Sequence, residues 1–225
     1  MIKSINLYKR WMKFLPFFIG FILIWTFWTQ AGDDPAAPLF QEDFEKTDPG
    51  GLPKGFLVLE GDFAVFELFG NRVLRLPAFP LGDFGVLFGP SETEGRVRVR
   101  VRAEAKKRLF PRFGVGLNGV SGYRLWVTPA RKRLELIKGE EVLATHPFAW
   151  KSGEVCHLSL QIRRRTSGWS IEAEAWMEGD PPPADSMIIY QTDEEPVAGK
   201  ASIWGAPYSE YHIDFDDLVL DSGNH

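Results

Sequence analysis

The residues best spaced for chemistry are two glutamates, Glu172 and Glu174, in the run Ile171-Glu172-Ala173-Glu174-Ala175-Trp176. Side chains two apart on an extended strand share a face and stand about 7 Å apart, a separation over which carboxylate pairs act as acid and base on glycosidic bonds. Trp176 shares that face. Two further tryptophans, Trp126 and Trp204, also fall on the polar phase of strand-like runs. In Tyr123-Arg124-Leu125-Trp126-Val127-Thr128 the apolar phase is Tyr123, Leu125 and Val127, which leaves Trp126 beside Arg124 and Thr128 on the opposite side. A large aromatic among polar neighbours suits contact with a ligand, and a sugar ring offers an apolar face to an indole while its hydroxyls need fixed polar partners.

The same alternation over residues 113–118 turns Gly114, Gly116 and Asn118 to the outer face, where missing side chains would let a ligand approach the backbone. The expected ligand-binding set is therefore Trp126, Trp176, Trp204, Arg124, Asn118, Gly114, Gly116, Glu172 and Glu174. The glycines and Asn118 would form the floor, the indoles the walls, and the charged side chains the hydrogen-bonding partners. All of this depends on pleat parity, because a single bulge reverses the faces beyond it.

Other constellations are absent or incomplete. His146, His157, His212 and His225 have no metal-ligand spacing, and a lone cysteine, Cys156, excludes an internal disulfide. Cys156 also alternates with His157 in a run whose apolar phase continues through Leu158, Leu160 and Ile162, which places it in a core. Residues 114–119 match a dinucleotide-binding glycine string, but a strand rather than a helix follows them. Asp43, Glu45, Asp216 and Asp217 bring carboxylates to both ends of the domain, where they would serve as surface acids or hold a structural Ca²⁺. No other cofactor is expected.

The elements that must position these residues are strands. Arg96-Val97-Arg98-Val99-Arg100-Val101-Arg102-Ala103 alternates strictly, with its arginines toward water in a salt-bridge ladder or toward an acidic glycan. Residues 158–162 and 171–176 form a hairpin through a turn near Thr166-Ser167-Gly168, and the run from Ile213 to Leu220 is a closing strand. Strands without crossover helices imply antiparallel sheets packed face to face.

Ahead of them, Lys3, Lys9, Arg10 and Lys13 precede an apolar run, and no acidic residue occurs before Asp33. This is the form of an export signal, read either as a signal peptide ending near Ala31 or as an uncleaved helical anchor across residues 14–32. Both place the remainder across the membrane, periplasmic or extracellular. The organisation is then 1–31 signal or anchor, 32–38 linker, 39–221 one domain, and 222–225 tail. The chain's net charge of −4 already includes those four leading cations, so the exported part is more acidic still and unsuited to nucleic acid.

Glu42-Asp43-Phe44-Glu45 followed by Pro49-Gly50-Gly51-Leu52-Pro53-Lys54-Gly55-Phe56 resembles the first strand and loop of bacterial concanavalin A-like, laminin-G-like jelly-roll domains. Gly122-Tyr123-Arg124-Leu125, the strand end Ala175-Trp176-Met177-Glu178-Gly179-Asp180-Pro181 and the closing Phe215-Asp216-Asp217-Leu218 resemble them too, in the right order over about residues 39–221. The resemblance implies an all-β, antiparallel two-sheet jelly-roll sandwich, here preceded by one N-terminal hydrophobic helix. It also implies a concave face that binds sugar in lectins and glucanases of that superfamily, without implying one activity. The glucanase pattern Glu-x-Asp-x-Glu is not matched, since Glu174 stands at the middle acid and Trp176 at the third position. Three functions stay open: a carbohydrate-binding module of the cell envelope, a non-catalytic structural or interaction domain, and a glycoside-active enzyme using Glu172 and Glu174.

Overall fold

Alternation decides the architecture. Among residues 37–223, which the computed structural model describes, fifteen strands form. They begin with β1 (Phe40–Glu42), β2 (Leu57–Glu60), β3 (Ala64–Leu68), β4 (Asn71–Leu76) and β5 (Phe84–Glu92). The middle of the chain gives β6 (Gly95–Ala103), β7 (Arg112–Leu117), β8 (Tyr123–Thr128), β9 (Arg133–Lys138) and β10 (Glu141–Pro147). The last are β11 (Val155–Arg164), β12 (Trp169–Met177), β13 (Ile188–Thr192), β14 (Gly199–Ala206) and β15 (Ile213–Asp221). The expected signal or anchor over 1–31, its membrane-spanning reading over 14–32, most of the 32–38 linker and the last two residues lie outside the described part. Among the described residues no helix is long and apolar enough to cross a membrane.

The strands make two antiparallel sheets. An eight-stranded sheet runs β13-β12-β11-β6-β15-β4-β3 with β1 also paired to β15, and a seven-stranded sheet runs β10-β9-β8-β7-β14-β5-β2. Each presents one apolar phase to the other. Val97, Val99 and Val101 of β6 and Cys156, Leu158, Leu160 and Ile162 of β11 meet Phe113 and Val115 of β7 and Tyr123, Leu125 and Val127 of β8 in one core. Burying a side chain of this size stabilises the fold by about 1.5–3 kcal/mol, and dozens of them set the register of both sheets. The β11–β12 hairpin follows the sequence expectation, and β7 pairs with β8 and β1 with β15.

Local irregularities occur where the alternation fails. The β15 register shifts between Asp216 and Val219, and Asp217 takes φ 48°, so Phe215 and Leu218 both face the core with two aspartates between them. A single 3-10 turn, Pro129–Arg131, joins β8 to β9 and closes at Lys132 in the left-handed region. That turn brings Arg131 back over β9.

Candidate functional site

Two rows of side chains cross the outer face of the seven-stranded sheet. In register they read Gly85, Trp204, Gly114, Trp126, Glu135 and, beside it, Leu87, Ser202, Gly116, Arg124, Ile137. Glycine alternates with bulk because the bulk needs the space. A Cβ on Gly85 would stand 2.6 Å from Trp204 Cζ3, and one on Gly116 would meet Ser202 Oγ at 2.5 Å and Arg124 Cγ at 3.0 Å. The guanidinium of Arg124 lies 4.4 Å from the Trp204 ring centroid, and that of Arg112 lies 4.5 Å from the Trp126 ring. Each such contact contributes about 0.5–2 kcal/mol, more as water is excluded.

This lattice borders a depression of about 480 Å³ whose lining includes Arg112, Arg124, Trp126, Thr128, Asp83 and Tyr208. Around it stand four buried polar atoms with no hydrogen-bond partner among the described residues: Arg112 Nε, Arg124 Nε, Trp126 Nε1 and Thr128 Oγ1. Buried donors are nearly always satisfied, so four together mark a surface that expects a partner. Trp204 differs, donating its indole N–H to Ser202 Oγ at 2.8 Å.

Charge on the rim is unevenly compensated. Glu135 accepts from Arg131 at 2.9 Å and Arg133 at 2.8 Å. Burial alone would raise its carboxyl, but these two bonds prevail and hold it below the ordinary carboxylate range. Asp83 accepts from the Tyr208 hydroxyl at 3.0 Å and lies 3.8 Å from Arg112. Burial, and secondarily Asp83, raises the Tyr208 hydroxyl. Arg124 makes one hydrogen bond, 3.3 Å to the Gly139 carbonyl. Burial first, and Arg112 with it, pulls its guanidinium below the usual arginine value against the opposing pull of Asp83.

The structure brings together five of the nine residues expected from sequence: Trp126, Trp204, Arg124, Gly114 and Gly116. Three corrections follow. The tryptophan rings are not exposed walls, because the arginines cover them and leave Trp126 1% and Trp204 7% accessible. The glycines are not a ligand floor either, since Ser202, Arg124 and neighbouring backbone fill their space; a Cβ on Gly114 would reach the Leu125 carbonyl oxygen at 2.2 Å. Finally, Trp176, Glu172 and Glu174 lie on the outer face of the other sheet, because β12 belongs to the eight-stranded sheet. There Trp176 stacks on His157 at 4.9 Å. Glu172 is held by Arg163 at 2.6 Å and Ser170 at 2.7 Å, and Glu174 by Ser186 at 3.0 Å.

Asn118 ends β7 with φ 64° and caps a loop, its amide donating to the carbonyls of Glu92 at 2.9 Å and Thr93 at 3.1 Å. Arg112, Thr128, Glu135, Asp83 and Tyr208 were missed as site residues. Arg112 and Thr128 were within reach of the same parity rule, two positions from Gly114 and Trp126. Asp83 and Tyr208 come from loops, where no periodicity speaks.

The four acids considered for Ca²⁺ are engaged separately. Asp43 accepts from the Glu45 amide, Glu45 from the Arg72 amide, Asp216 from Asn71 and Asp217 from Arg100. Among the described residues no group of three or more His, Cys, Asp or Glu is arranged to hold a metal ion. The arginine row on β6 is likewise partnered, Arg96 by Gln161, Arg98 by Asp221 and Arg102 by Gly153 and Glu104.

The two sheets and their strand order define a concanavalin A-like jelly roll, and comparison with solved structures agrees. Lectin II from Ulex europaeus superposes with a TM-score of 0.58 at 13% identity over 83% of this chain and 99% of that one. The carbohydrate-binding module CBM66 from Bacillus subtilis gives 0.53 at 12% identity over 75% and 96%. Arcelin-5, a lectin-like defense protein from Phaseolus vulgaris, gives 0.55 at 8% identity over 80% and 96%. No protein-family model matches the chain, and no curated protein matches it in sequence. At such identities the likeness concerns the fold.

Proposed function

We propose that this domain is an exported glycan-binding module, released or membrane-anchored, whose saccharide seats in the depression over Trp126 and Arg124. One observation carries the reading: four residues that line a cavity of a size for a sugar residue or two each carry a buried polar atom without a partner among the described residues. The folds it resembles include a lectin and a carbohydrate-binding module, which supports the same ligand class. In this reading a sugar hydroxyl accepts from the Trp126 indole N–H and exchanges hydrogen bonds with Thr128, while Asp83 and Tyr208 serve hydroxyls at the rim. Glu172 and Glu174, on the other sheet, take no part in this reading. Residues 1–32 would deliver it to the cell envelope, where a glycan ligand is at hand.

The second reading, a non-catalytic structural or interaction domain, is favoured by the arginine caps on both tryptophans, which stabilise the sheet face whether or not a ligand binds. A glycan-array screen of the purified chain separates the two. Binding to a restricted set of glycans, lost in a Trp126→Phe variant that still unfolds cooperatively above the assay temperature, supports the module. That substitution keeps an aromatic ring under Arg112 but removes the N–H together with part of the indole, so a melting curve is needed to separate lost packing from lost binding. Absence of binding across the array would leave the structural reading.

A further inference from the structure

Hydrogen-bonding capacity at the depression is lopsided. A neutral sugar hydroxyl both donates and accepts, and a site built for it mixes donors with acceptors. Here Arg112 Nε, Arg124 Nε and Trp126 Nε1 can only donate, and the Thr128 hydroxyl can donate as well. The carboxylate nearest the middle of the face, Glu135, is already committed to Arg131 and Arg133. Trp126 and Thr128 are 1% and 4% accessible, so their orphaned atoms are buried rather than left to solvent. Arg124 has no carboxylate partner within salt-bridge distance among the described residues; its single bond goes to a backbone carbonyl.

Resting on the glycan-binding reading, we infer that the saccharide taken by this site carries an anionic, acceptor-only group, a uronate carboxylate or a sulfate ester, seated between Arg112 and Arg124. Each guanidinium is fixed in orientation by the tryptophan beneath it, Arg112 on Trp126 and Arg124 on Trp204. Held over a ring in this way, a guanidinium offers its donors to a planar or tetrahedral oxyanion with less rotamer freedom left to lose. The indole N–H of Trp126 and the Thr128 hydroxyl supply further donors to the same group or to the ring that bears it. Glycine at 116 is part of the device, because a Cβ there would stand 3.0 Å from Arg124 Cγ and crowd the side chain that lies across the sheet. Asp83 and Glu140 also line the depression. Asp83, tied to Tyr208 and close to Arg112, sets which side of the anion faces the rim.

The arginine row of β6 offers a contrast on the opposite sheet. Its guanidiniums face Asp217, Asp221, Glu104 and Gln161, and together they form the ladder that an acidic domain needs for its own stability. At the depression, by contrast, Arg124 has no carboxylate within salt-bridge distance among the described residues, and Arg112 has only Asp83, 3.8 Å away.

The test titrates the full chain with three oligosaccharides of equal length: a uronate oligomer, the same oligomer with its carboxyl groups reduced to alcohols, and a sulfated neutral oligomer. The expected result is binding of the uronate or the sulfated ligand at least about tenfold tighter than the reduced one, the scale of a charge-assisted hydrogen bond. Arg112→Gln and Arg124→Gln should each cut that preference, and the double variant should abolish it. Because the comparison between ligands uses the unaltered protein, it stands even if a variant folds poorly. Equal affinity for the uronate and its reduced form overturns the inference, as does a preference that survives in a folded double variant. Binding confined to neutral sugars removes the inference and leaves the glycan-binding reading intact, whereas no binding to any saccharide removes both.

Discussion

Trp204 occupies the space over Gly85, its register partner on β5, so that a Cβ at position 85 would come within 2.6 Å of the indole. The same indole faces Gly114 on its other side, and Gly114 in turn faces Trp126. A row of alternating glycine and tryptophan is therefore one packing unit. Gly85→Ala is expected to lower stability by about 1–3 kcal/mol, the range for overfilling a packed site. Gly114→Ala should cost more, since its Cβ would meet the Leu125 carbonyl oxygen at 2.2 Å, and backbone yields less readily than a ring. Urea denaturation midpoints of the two variants check the order; a Gly114→Ala variant as stable as the parent would refute this account of the row.

Parity along each strand was legible because the alternation is strong. Val97, Val99 and Val101 face inward, Arg96, Arg98 and Arg100 outward, and Trp126 and Trp204 share the outer phase as expected. What alternation cannot say is which sheet a strand joins. Trp176 has the right parity, but β12 lies in the eight-stranded sheet, and sheet membership is fixed by long-range pairing that a local pattern does not encode. Nor does parity say what covers an outward side chain. Arg112 reaches Trp126 from the neighbouring strand and Arg124 reaches Trp204 from two strands away, and no spacing within one strand announces either contact.

Because Trp176 and Trp126 lie on different sheets, substituting one should leave the other's role unchanged. Trp176→Ala is expected to retain full glycan binding while losing about 0.5–1.5 kcal/mol of stability for the stacked His157 pair, plus the area its ring covers. Glu172→Gln should likewise alter stability alone, since Arg163 and Ser170 hold that carboxylate. Calorimetric titration beside thermal melts reads both effects. Lost binding in a stable Trp176→Ala variant would reunite the two faces.

Adding EDTA is expected to leave the melting curve where it stands in Ca²⁺. Asp43, Glu45, Asp216 and Asp217 are each engaged by protein donors, Asp216 and Asp217 both lying against Arg100 at 3.9 and 2.8 Å, and among the described residues no three acids gather as a cation site would need. A Ca²⁺-dependent rise in melting temperature, saturable and absent in Asp216→Asn, would show that they converge after all.

Two aspartates on β15 should respond to acid with opposite signs. Burial alone would raise Asp214, but bonds from His212 and Arg75 prevail, with Arg75 donating at 2.6 and 2.9 Å, and its carboxyl sits below the ordinary value. A depressed folded value means that its stabilisation is complete above the unfolded carboxylate range and fades as pH falls through the folded value. Asp214→Asn should thus cost about 2 kcal/mol at neutral pH and progressively less below about pH 4. Asp216 is raised instead, by burial first and by the adjacent Asp217 charge, against the bond from Asn71. Its ionised form weakens the fold, a penalty present above the folded value and relieved as protons bind. An asparagine at 216 can keep the bond to the Asp217 N–H through its carbonyl and meet Asn71 through its amide once that side chain turns over. Asp216→Asn should therefore match or slightly exceed the parent in melting temperature at pH 7, with the advantage gone in acid. Melting temperatures of the two variants and the parent from pH 3 to 8 decide the matter: the Asp214→Asn difference must shrink toward acid, and a large destabilisation by Asp216→Asn at pH 7 would contradict the sign assigned to that group.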